Sequence, residues 1–394
     1  MNRNRVNKKR MGRARVLSRA AAGMLAAALC FQPMTALAGP AGDSSLTSSS
    51  SNAGPGGGSG SSNSGSTGSS GGSTSVSNGS VSAVTSGLGV YRVTENEGIG
   101  AIARGVDVSY WQQNVNWSQV ASDNVQFAML ATRFRGNVDP FFTMNAANAS
   151  QAGLRLGAYI YSYATSVEMA QQEADFVLNL IKDYPISFPV VFDAEDANTL
   201  GTLTQSQVSD VINAFCKRIQ DAGYYPMVYA NEYWIANKID MSKISYDIWV
   251  AKYQQKYTYS KTSMWQASNT GSVKGVNGNV DIDYLYKDYT QIIPGNTWRT
   301  IAGNRYYYQN HVMQKAAWIN DGQNWYYMNA AGNPSTGWLE LSGKKYYLEA
   351  DGHMITGWKT LDGGWRYFDA SGEQATGWRA VDGSWYFIDR KSVV

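Results

Sequence analysis

The stretch FPVVFDAEDA, residues 188–197, predicts a buried strand that runs directly into acidic residues. Its first five residues are apolar, and Asp193, Glu195 and Asp196 then follow within four positions. Alternate side chains of a strand point to the same face, so Asp193 and Glu195 aim together and Asp196 aims away. Like charges this close repel each other, and burial increases the cost. We therefore expect a functional pair, with Asp196 as a cap or loop partner.

Other short apolar runs of this kind surround the stretch, and helical segments separate the earlier ones. The clearest helix lies within residues 202–223, where Thr204 and Gln207 fit a capping box and Gly223 marks the end. Strands that alternate with helices predict a parallel sheet, and eight of them predict a barrel. The last three gaps are too short for full helices. The fold class is thus α/β, an irregular (β/α) TIM-like barrel whose strands begin near residues 105, 126, 156, 188, 226, 247, 264 and 280.

A 20-residue repeat begins at Trp298 and returns at Trp318, Trp338, Trp358 and Trp378. An aromatic residue lies nine positions after each of these tryptophans, and a glycine recurs at one turn position. A short period with aromatic clusters and a turn glycine indicates stacked β-hairpins. We therefore expect an all-β hairpin-repeat solenoid after the barrel.

The N-terminus predicts an export signal over residues 1–38. Eight basic residues and no acidic residue precede or flank an apolar stretch, and Ala36-Leu37-Ala38 provides a small-x-small cleavage pattern. The apolar stretch is short for a membrane span. Cys30 would suit a lipoprotein, but Leu29 stands where such sites have a small residue. The predicted product is secreted.

Four segments follow from these patterns: the signal at 1–38, a Ser/Gly-rich disordered linker at 39–98, the barrel domain at 99–290 and the repeats at 291–394. The whole chain holds 33 Lys and Arg against 30 Asp and Glu. Without the signal it would hold 25 against 30, so the basic balance belongs to the signal and no nucleic-acid partner is expected. Cys216, on an apolar helical face, is expected to be a core thiol.

Two further acids, Asp107 and Asp281, occupy comparable places at strand ends, where barrel enzymes build their active sites. Crowded carboxyl groups keep at least one proton, and a protonated acid beside ionised partners is what cleavage of a glycosidic bond requires. Salt bridges, caps or a carboxylate-only Ca²⁺ or Mg²⁺ site are the alternatives. The chain has two histidines, His311 and His353, both in the repeats, so no His-based metal or acid–base site is expected in the barrel. We predict no metal and no cofactor.

Aromatic side chains at the strand ends are candidates for stacking on sugar rings or for the barrel core. The predicted substrate-binding residues are Tyr159, Tyr161, Tyr229, Trp249, Tyr253 and Trp265.

At these residues the chain resembles glycoside hydrolase family 25, the secreted lysozymes of the N-acetylmuramidase type. The resemblance runs from GVDVSYWQQNVNW through FPVVFDAED and YYPMVYANEYW to GVNGNVDIDYLY, over about residues 100 to 286. It implies hydrolysis of the β-1,4 bond between N-acetylmuramic acid and N-acetylglucosamine in peptidoglycan. It further implies Glu195 as the general acid and Asp193 as an orienting or stabilising group, with Asp107 and Asp281 completing the cluster. A carboxylate or the substrate's 2-acetamido group would serve as nucleophile.

Some positions depart from the family pattern or leave its assignment open. TRFRGN stands where many members have a Glu-Gly pair, and Ile160 stands where many have a histidine. Arg133 and Arg135 would meet a substrate carboxylate or form a solvated rim. Asp283 shares a face with Asp281, so the fourth acid is either of the two.

The repeats resemble choline-binding or cell-wall-binding repeats of Gram-positive surface proteins and phage lysins. The resemblance implies aromatic cages for a quaternary ammonium, or for another wall polymer. Arg305 and Lys345 replace tryptophan in the first and third units. The candidate wall-ligand residues are Trp325, Trp338, Tyr347, Trp358, Trp365, Tyr367, Trp378 and Trp385.

Together the patterns predict a secreted peptidoglycan hydrolase that the repeats target to the wall, where local enrichment raises the effective substrate concentration. Its partners would be peptidoglycan and a wall polymer. One alternative is a wall-binding surface protein without activity, although the acidic set is intact. Another is a glycosidase that acts on a different N-acetylated glycan such as chitin.

Overall fold

The computed structural model describes residues 83–92, 98 and 100–389. The predicted export signal and most of the predicted linker lie outside these residues. The structure differs from the prediction at the end of the linker, where β1 (Ala83–Ser86) and β2 (Gly89–Arg92) form an antiparallel hairpin. The Tyr91 ring provides the physical reason, because it is buried in the core of the barrel and ties the hairpin to it. Ser and Gly content alone did not reveal this anchor.

The eight predicted strands form one closed barrel, which confirms the predicted fold class. Seven of them run parallel in sequence order, and the eighth pairs antiparallel with both of its neighbours, the seventh and the first. The barrel is therefore irregular on that side, as the short final gaps indicate. Its strands are β3 (Ala103–Val108), β4 (Phe127–Ala131), β7 (Arg155–Tyr161), β8 (Ile186–Asp193), β9 (Pro226–Asn231), β10 (Asp247–Ala251), β11 (Thr262–Gly271) and β12 (Val280–Leu285). A short hairpin of β5 (Arg133–Phe134) and β6 (Asn137–Val138) follows β4.

Five helices connect the barrel strands and cover the outer face. They are α1 (Trp117–Ser122), α2 (Phe142–Gln151), α3 (Val167–Ile181), α4 (Gln205–Asp221) and α5 (Glu232–Asn237). The predicted capping box of α4 is present, since Thr204 and Gln207 each bond the other's backbone N–H. Gly223 follows with a φ of 88°, a conformation that favours glycine after a helix. Cys216 is fully buried on α4, as expected of a core thiol. No helix among the described residues is long and apolar enough to span a bilayer.

Two apolar cores result from the alternation of side chains along the strands. The outer core joins one face of each strand to the helices, as Val106 and Phe192 illustrate. The inner core contains no α-helical residue and includes Phe127, Val191 and Met227. Because Asp107 and Asp193 alternate with outer-core residues, their side chains point into the barrel.

Five hairpins follow the barrel and make up the predicted repeats. Their strands are β13 (Thr297–Ile301) and β14 (Asn304–Gln309), with β15 (Val312–Met313) added to the first sheet; β16 (Ala317–Asn320) and β17 (Trp325–Met328); β18 (Gly337–Leu341) and β19 (Lys344–Leu348); β20 (Gly357–Leu361) and β21 (Gly364–Phe368); and β22 (Gly377–Val381) and β23 (Ser384–Ile388). In each hairpin the register places the repeat tryptophan opposite the aromatic residue nine positions later.

The first hairpin packs directly on the barrel through a buried arginine. The Arg299 guanidinium lies 3.9 Å from the ring centroid of Tyr224 and 4.3 Å from that of Tyr308. The Tyr308 hydroxyl donates to the carbonyl of Lys182 at 2.8 Å, just after α3. A desolvated cation between two rings is a strong form of cation–π contact. This hairpin is therefore continuous with the core of the barrel.

Candidate active site

The acidic pair of the fourth barrel strand lies at the mouth of the barrel. Asp193 is the last residue of β8 and has 7% of its surface exposed, whereas Glu195 is partly exposed two residues later. Burial raises the pKa of Asp193, and the neighbouring Glu195 charge raises it further. Burial also raises the pKa of Glu195, although hydrogen bonds from Asn231 oppose the rise. Both carboxyl groups of the pair therefore keep their protons to a higher pH than ordinary aspartate and glutamate side chains do.

Asp196 has the different role that strand alternation predicts. Its carboxylate accepts hydrogen bonds from the backbone N–H groups of Asn198 and Thr199 at 3.0 and 2.8 Å. The Tyr161 hydroxyl also donates to it at 3.1 Å. Asp196 therefore organises the loop after β8 and is separate from the inward pair.

Three more acids lie on the opposite side of the barrel, on β3 and β12. Asp107 and Asp281 are register partners on these strands, and the charge of Asp281 adds to the effect of burial in raising the pKa of Asp107. Two acids that interact in this way do not ionise independently, so together they hold a proton to a higher pH than two isolated aspartates would. Burial raises the pKa of Asp107, with additional effects from the charges of Asp281 and Asp283, and burial raises the pKa of Asp281 to about 6. Asp283 is fully buried and accepts from Trp249 Nε1 at 3.0 Å.

Gln266 connects the acids to the aromatic residues, a role that the sequence analysis missed. Its side-chain nitrogen donates to Asp107 Oδ2 at 2.7 Å. Its side-chain oxygen accepts from the hydroxyls of Tyr229 at 2.8 Å and Tyr253 at 2.7 Å. Met264 lies in the inner core, so the polar side chain two positions later shares its inward face. A polar residue within an apolar strand was the one indication of this role in the sequence.

The structure brings most of the predicted aromatic residues together and excludes one. Tyr159 and Tyr229 make edge contacts with Trp249 inside the barrel, with ring centroids 6.1 and 4.8 Å apart. Tyr253 lies at the rim and is 38% exposed. Trp265 lies on the outer face, where its ring packs with Tyr284 and its Nε1 donates to the carbonyl of Lys252. The prediction that Trp265 faces substrate is therefore wrong, because strand alternation turns it outward.

A cleft of about 510 Å³ opens beside Glu195. Glu232 organises its far wall, since its carboxylate pairs with Lys252 and accepts from the Thr258 hydroxyl at 2.8 Å. Burial opposes ionisation of Glu232, but these partners outweigh it and lower its pKa to about 2. The residues lining the cleft are Glu195, Asn231, Glu232, Tyr233, Ala251, Lys252, Tyr253 and Gln254.

An exposed aromatic surface lies beyond the end of β3, on the same mouth of the barrel. Tyr110 stacks on Phe134 with ring centroids 4.1 Å apart, and Trp111 makes an edge contact with Phe134 at 5.8 Å. Trp111 is 68% exposed. Asp139 holds the loop, because it accepts from the Tyr110 N–H at 2.7 Å. We call Tyr110, Trp111 and Phe134 the mouth platform.

The two arginines that depart from the family pattern differ in environment. Arg133 is partly buried and pairs with Glu173 at 2.6 Å, so its charge is already compensated. Arg135 is exposed, and its guanidinium lies 5.1 Å from the Phe134 ring centroid. Arg135 is therefore the one placed to meet a substrate carboxylate.

In the repeats, the predicted wall-ligand residues lie on one face of each hairpin. Tyr347 and Tyr367 pack against Trp338 and Trp358, with ring centroids 5.3 and 4.9 Å apart. These rings therefore contribute to the hairpin core as well as to the exposed face. The exposed tryptophans are Trp325, Trp338, Trp365, Trp378 and Trp385.

Inward acids in a closed barrel, followed by aromatic hairpin repeats, define a glycoside hydrolase of the lysozyme type. The chain belongs to family 25 of the glycosyl hydrolases, whose family model matches residues 106–276. A choline-binding repeat model matches residues 355–392, and a putative cell wall binding repeat model matches 317–333 and 336–354. The protein is thus a lysozyme-type peptidoglycan hydrolase with choline-binding repeats.

Individual relatives share the barrel region. The uncharacterized protein YegX of Escherichia coli K12 is 31% identical over 189 residues, which cover 45% of this chain and 68% of that protein. Lysozyme M1 of Streptomyces globisporus is 30% identical over 195 residues, covering 45% of this chain and 66% of that protein. Among solved structures, the CTP1L endolysin is 25% identical with a TM-score of 0.43, over 48% of this chain and 69% of that one.

Proposed function

We propose that this protein is an exported N-acetylmuramidase that cleaves the β-1,4 bond between N-acetylmuramic acid and N-acetylglucosamine. The observation that carries the proposal is the Glu195 carboxyl group, half-buried in the cleft beside Asp193, with a pKa that burial raises. A raised pKa keeps this carboxyl group protonated to a higher pH than an ordinary glutamate, and a general acid that donates to the leaving oxygen needs that proton.

The other acids supply negative charge and orientation in this mechanism. Asp193 points into the same space as Glu195 and orients the substrate or stabilises the positive charge that develops at the sugar carbon. Asp107 and Asp281 face the pair from the opposite side, interact so that they do not ionise independently, and complete the cluster. Gln266 keeps Asp107 in place and links it to Tyr229 and Tyr253.

The repeats direct the enzyme to its substrate by binding a choline-bearing wall polymer. Exposed tryptophans on successive hairpins suit a cation of low hydration, which gains from contact with aromatic faces. Binding of this kind raises the concentration of peptidoglycan at the barrel mouth. An export signal at residues 1–38 would bring the chain to the wall.

Digestion of purified peptidoglycan tests the bond assignment. Wild type should release fragments with a reducing muramic acid end, and Glu195→Gln should release none above background. The glutamine keeps the size and hydrogen bonding of the side chain but cannot donate a carboxyl proton. Reducing glucosamine ends would contradict the bond, and equal turnover by both proteins would contradict the role of Glu195.

A further inference from the structure

In the first hairpin, an arginine side chain of the protein itself lies against the repeat tryptophan. The Arg305 guanidinium lies 4.2 Å from the ring centroid of Trp298. Tyr326, from the second hairpin, approaches the same tryptophan with ring centroids 4.9 Å apart at 74°. Arg305 also donates to the carbonyl of Asp351 at 3.2 Å. A cation of the chain itself therefore sits against the aromatic pair at the junction of hairpins one and two.

The same aromatic pair recurs at two other junctions without the cation. Trp318 meets Tyr346 of the third hairpin at 5.0 Å and 64°. Trp358 meets Tyr386 of the fifth hairpin at 4.9 Å and 68°. The position of Arg305 is taken at these junctions by Trp325 and Trp365, which are 47% and 55% exposed.

Arg305, Trp325 and Trp365 occupy equivalent positions in the strand register of their hairpins. In the first hairpin Thr300 pairs with Arg305, and in the second and fourth Asn320 pairs with Trp325 and Thr360 with Trp365. The residue in question therefore lies on the same face as the repeat tryptophan in each hairpin. Where the first hairpin supplies a guanidinium, these two supply a third aromatic face.

The junction of hairpins three and four lacks two aromatic residues that the junctions after hairpins two and four have, the tyrosine of the next hairpin and the third aromatic residue. Arg366 stands where the other junctions have a tyrosine, and Trp338 instead contacts Phe368 at 6.0 Å. Lys345 takes the place of the third aromatic residue and lies 3.7 Å from Glu340. With the tyrosine and the third aromatic residue both replaced, this junction does not form an aromatic cage.

We propose that the junctions around Trp318 and Trp358 each bind one quaternary ammonium group, that Arg305 closes the junction around Trp298, and that the junction around Trp338 stays empty because it lacks two of the three aromatic residues. This inference rests on the proposed choline-binding function of the repeats and adds which of their four junctions are open. An external ligand at Trp298 would have to displace Arg305. Because Arg305 belongs to the same hairpin as Trp298, its effective concentration at that ring is high.

Equilibrium dialysis of the full chain against labelled choline tests this proposal, because it counts bound ligands at saturation. Wild type should bind two per chain. Trp325→Lys and Trp365→Lys, which copy the third hairpin, should each reduce the number to one, and the double variant should bind none. Arg305→Trp, which copies the second hairpin, should raise the number to three. Near-ultraviolet circular dichroism checks that each variant keeps its aromatic packing.

The outcomes separate this inference from the proposed function. Three or four ligands bound to wild type would overturn the inference while leaving choline as the ligand. A folded Arg305→Trp that still binds two would overturn the closure by Arg305. No binding by wild type would overturn choline as the ligand and the inference together, whereas the release of muramic acid ends, measured on purified peptidoglycan, tests the barrel independently of both.

Discussion

The backbone N–H of Asn231 donates a hydrogen bond to the Glu195 carboxylate. Asn231 ends the fifth barrel strand, which therefore holds in place the acid that follows the fourth barrel strand. This bond favours the ionised form of Glu195, whereas burial favours the protonated form. Burial prevails, and the pKa of Glu195 is raised. The same contact fixes the direction of the carboxyl group because α5 begins directly after Asn231 and caps on its side chain.

The division of the acidic stretch into an inward pair and a loop partner predicts different effects of two neutral substitutions. Glu195→Gln should lower kcat on peptidoglycan by about 10²–10⁴-fold, the range for loss of a general acid. Asp196→Asn should stay within a few-fold of wild type, because an amide oxygen still accepts the bonds that hold the loop. Turbidity assays on purified walls measure both. A larger loss in Asp196→Asn than in Glu195→Gln would contradict the division.

The pH profile of the wild-type enzyme should report the raised pKa of Glu195. The proton donor works only while protonated, so kcat/KM should fall as pH rises through that pKa. The ordinary pKa of glutamate in model peptides is about 4.3, and the descending limb should lie at a higher pH than this. Initial rates on a soluble glycan at constant ionic strength determine it. A descending limb at or below the ordinary value would show that burial does not dominate at this site.

Asp283 should decrease stability at neutral pH. Burial, followed by the charge of Asp281, raises its pKa, so its contribution to stability is fully present below the unfolded pKa and is lost as pH rises through the folded pKa. Asp283→Asn should therefore raise Tm at pH 7, by about 2–4 °C for each kcal/mol recovered, and the gain should disappear in acid.

Asp247 provides the matched control of opposite sign. Burial opposes its ionisation, but Lys287, Tyr225 and Tyr289 outweigh burial and lower its pKa. Its contribution is present above the unfolded pKa and is lost as pH falls through the folded pKa. Asp247→Asn should thus lower Tm at pH 7, with the loss shrinking in acid. Equal shifts for both variants at every pH would contradict the electrostatic explanation.

The mouth platform should contribute to binding of the glycan more than to chemistry. Trp111 is 68% exposed beside the acidic mouth, and stacking of an aromatic ring is worth about 0.5–1.5 kcal/mol. Trp111→Ala should therefore raise KM about 2–10-fold with kcat little changed. Val312→Ala, at an exposed apolar position on the first hairpin, serves as the control and should change neither. A fall in kcat alone would show that Trp111 acts elsewhere.

Arg299 should stabilise the attachment of the repeats to the barrel. Its guanidinium is buried between Tyr224 and Tyr308, and a desolvated contact of this kind is worth about 2 kcal/mol or more. Arg299→Ala should lower the free energy of unfolding by that amount and separate the unfolding of the first hairpin from that of the barrel. Arg379 occupies the same position in the fifth hairpin but is exposed, so Arg379→Ala should cost little. Calorimetry distinguishes the two variants.

Much of the barrel is predictable because its strands are short apolar runs of regular spacing, and all eight predicted runs form barrel strands. The acids are predictable for the same reason, since alternation and position place Asp107, Asp193 and Asp281 at strand ends. Trp265 was misplaced because its strand is apolar on both faces, which removes the period that distinguishes inside from outside. Gln266 was missed because the partners of its side chain lie on two other strands, at Asp107 and Tyr229, and in a loop, at Tyr253.

The order of strands, the 20-residue hairpin period and the pairing of Asp193 with Glu195 could be predicted from the chain alone, because each depends on the local alternation of side chains. The folded structure was needed to show that the charge of Asp281 acts on Asp107, that Glu173 compensates the charge of Arg133, and that Arg305 lies against Trp298. These contacts join residues far apart in the chain. Closure of the barrel and stacking of the hairpins, which bury them together, set their charges and their partners.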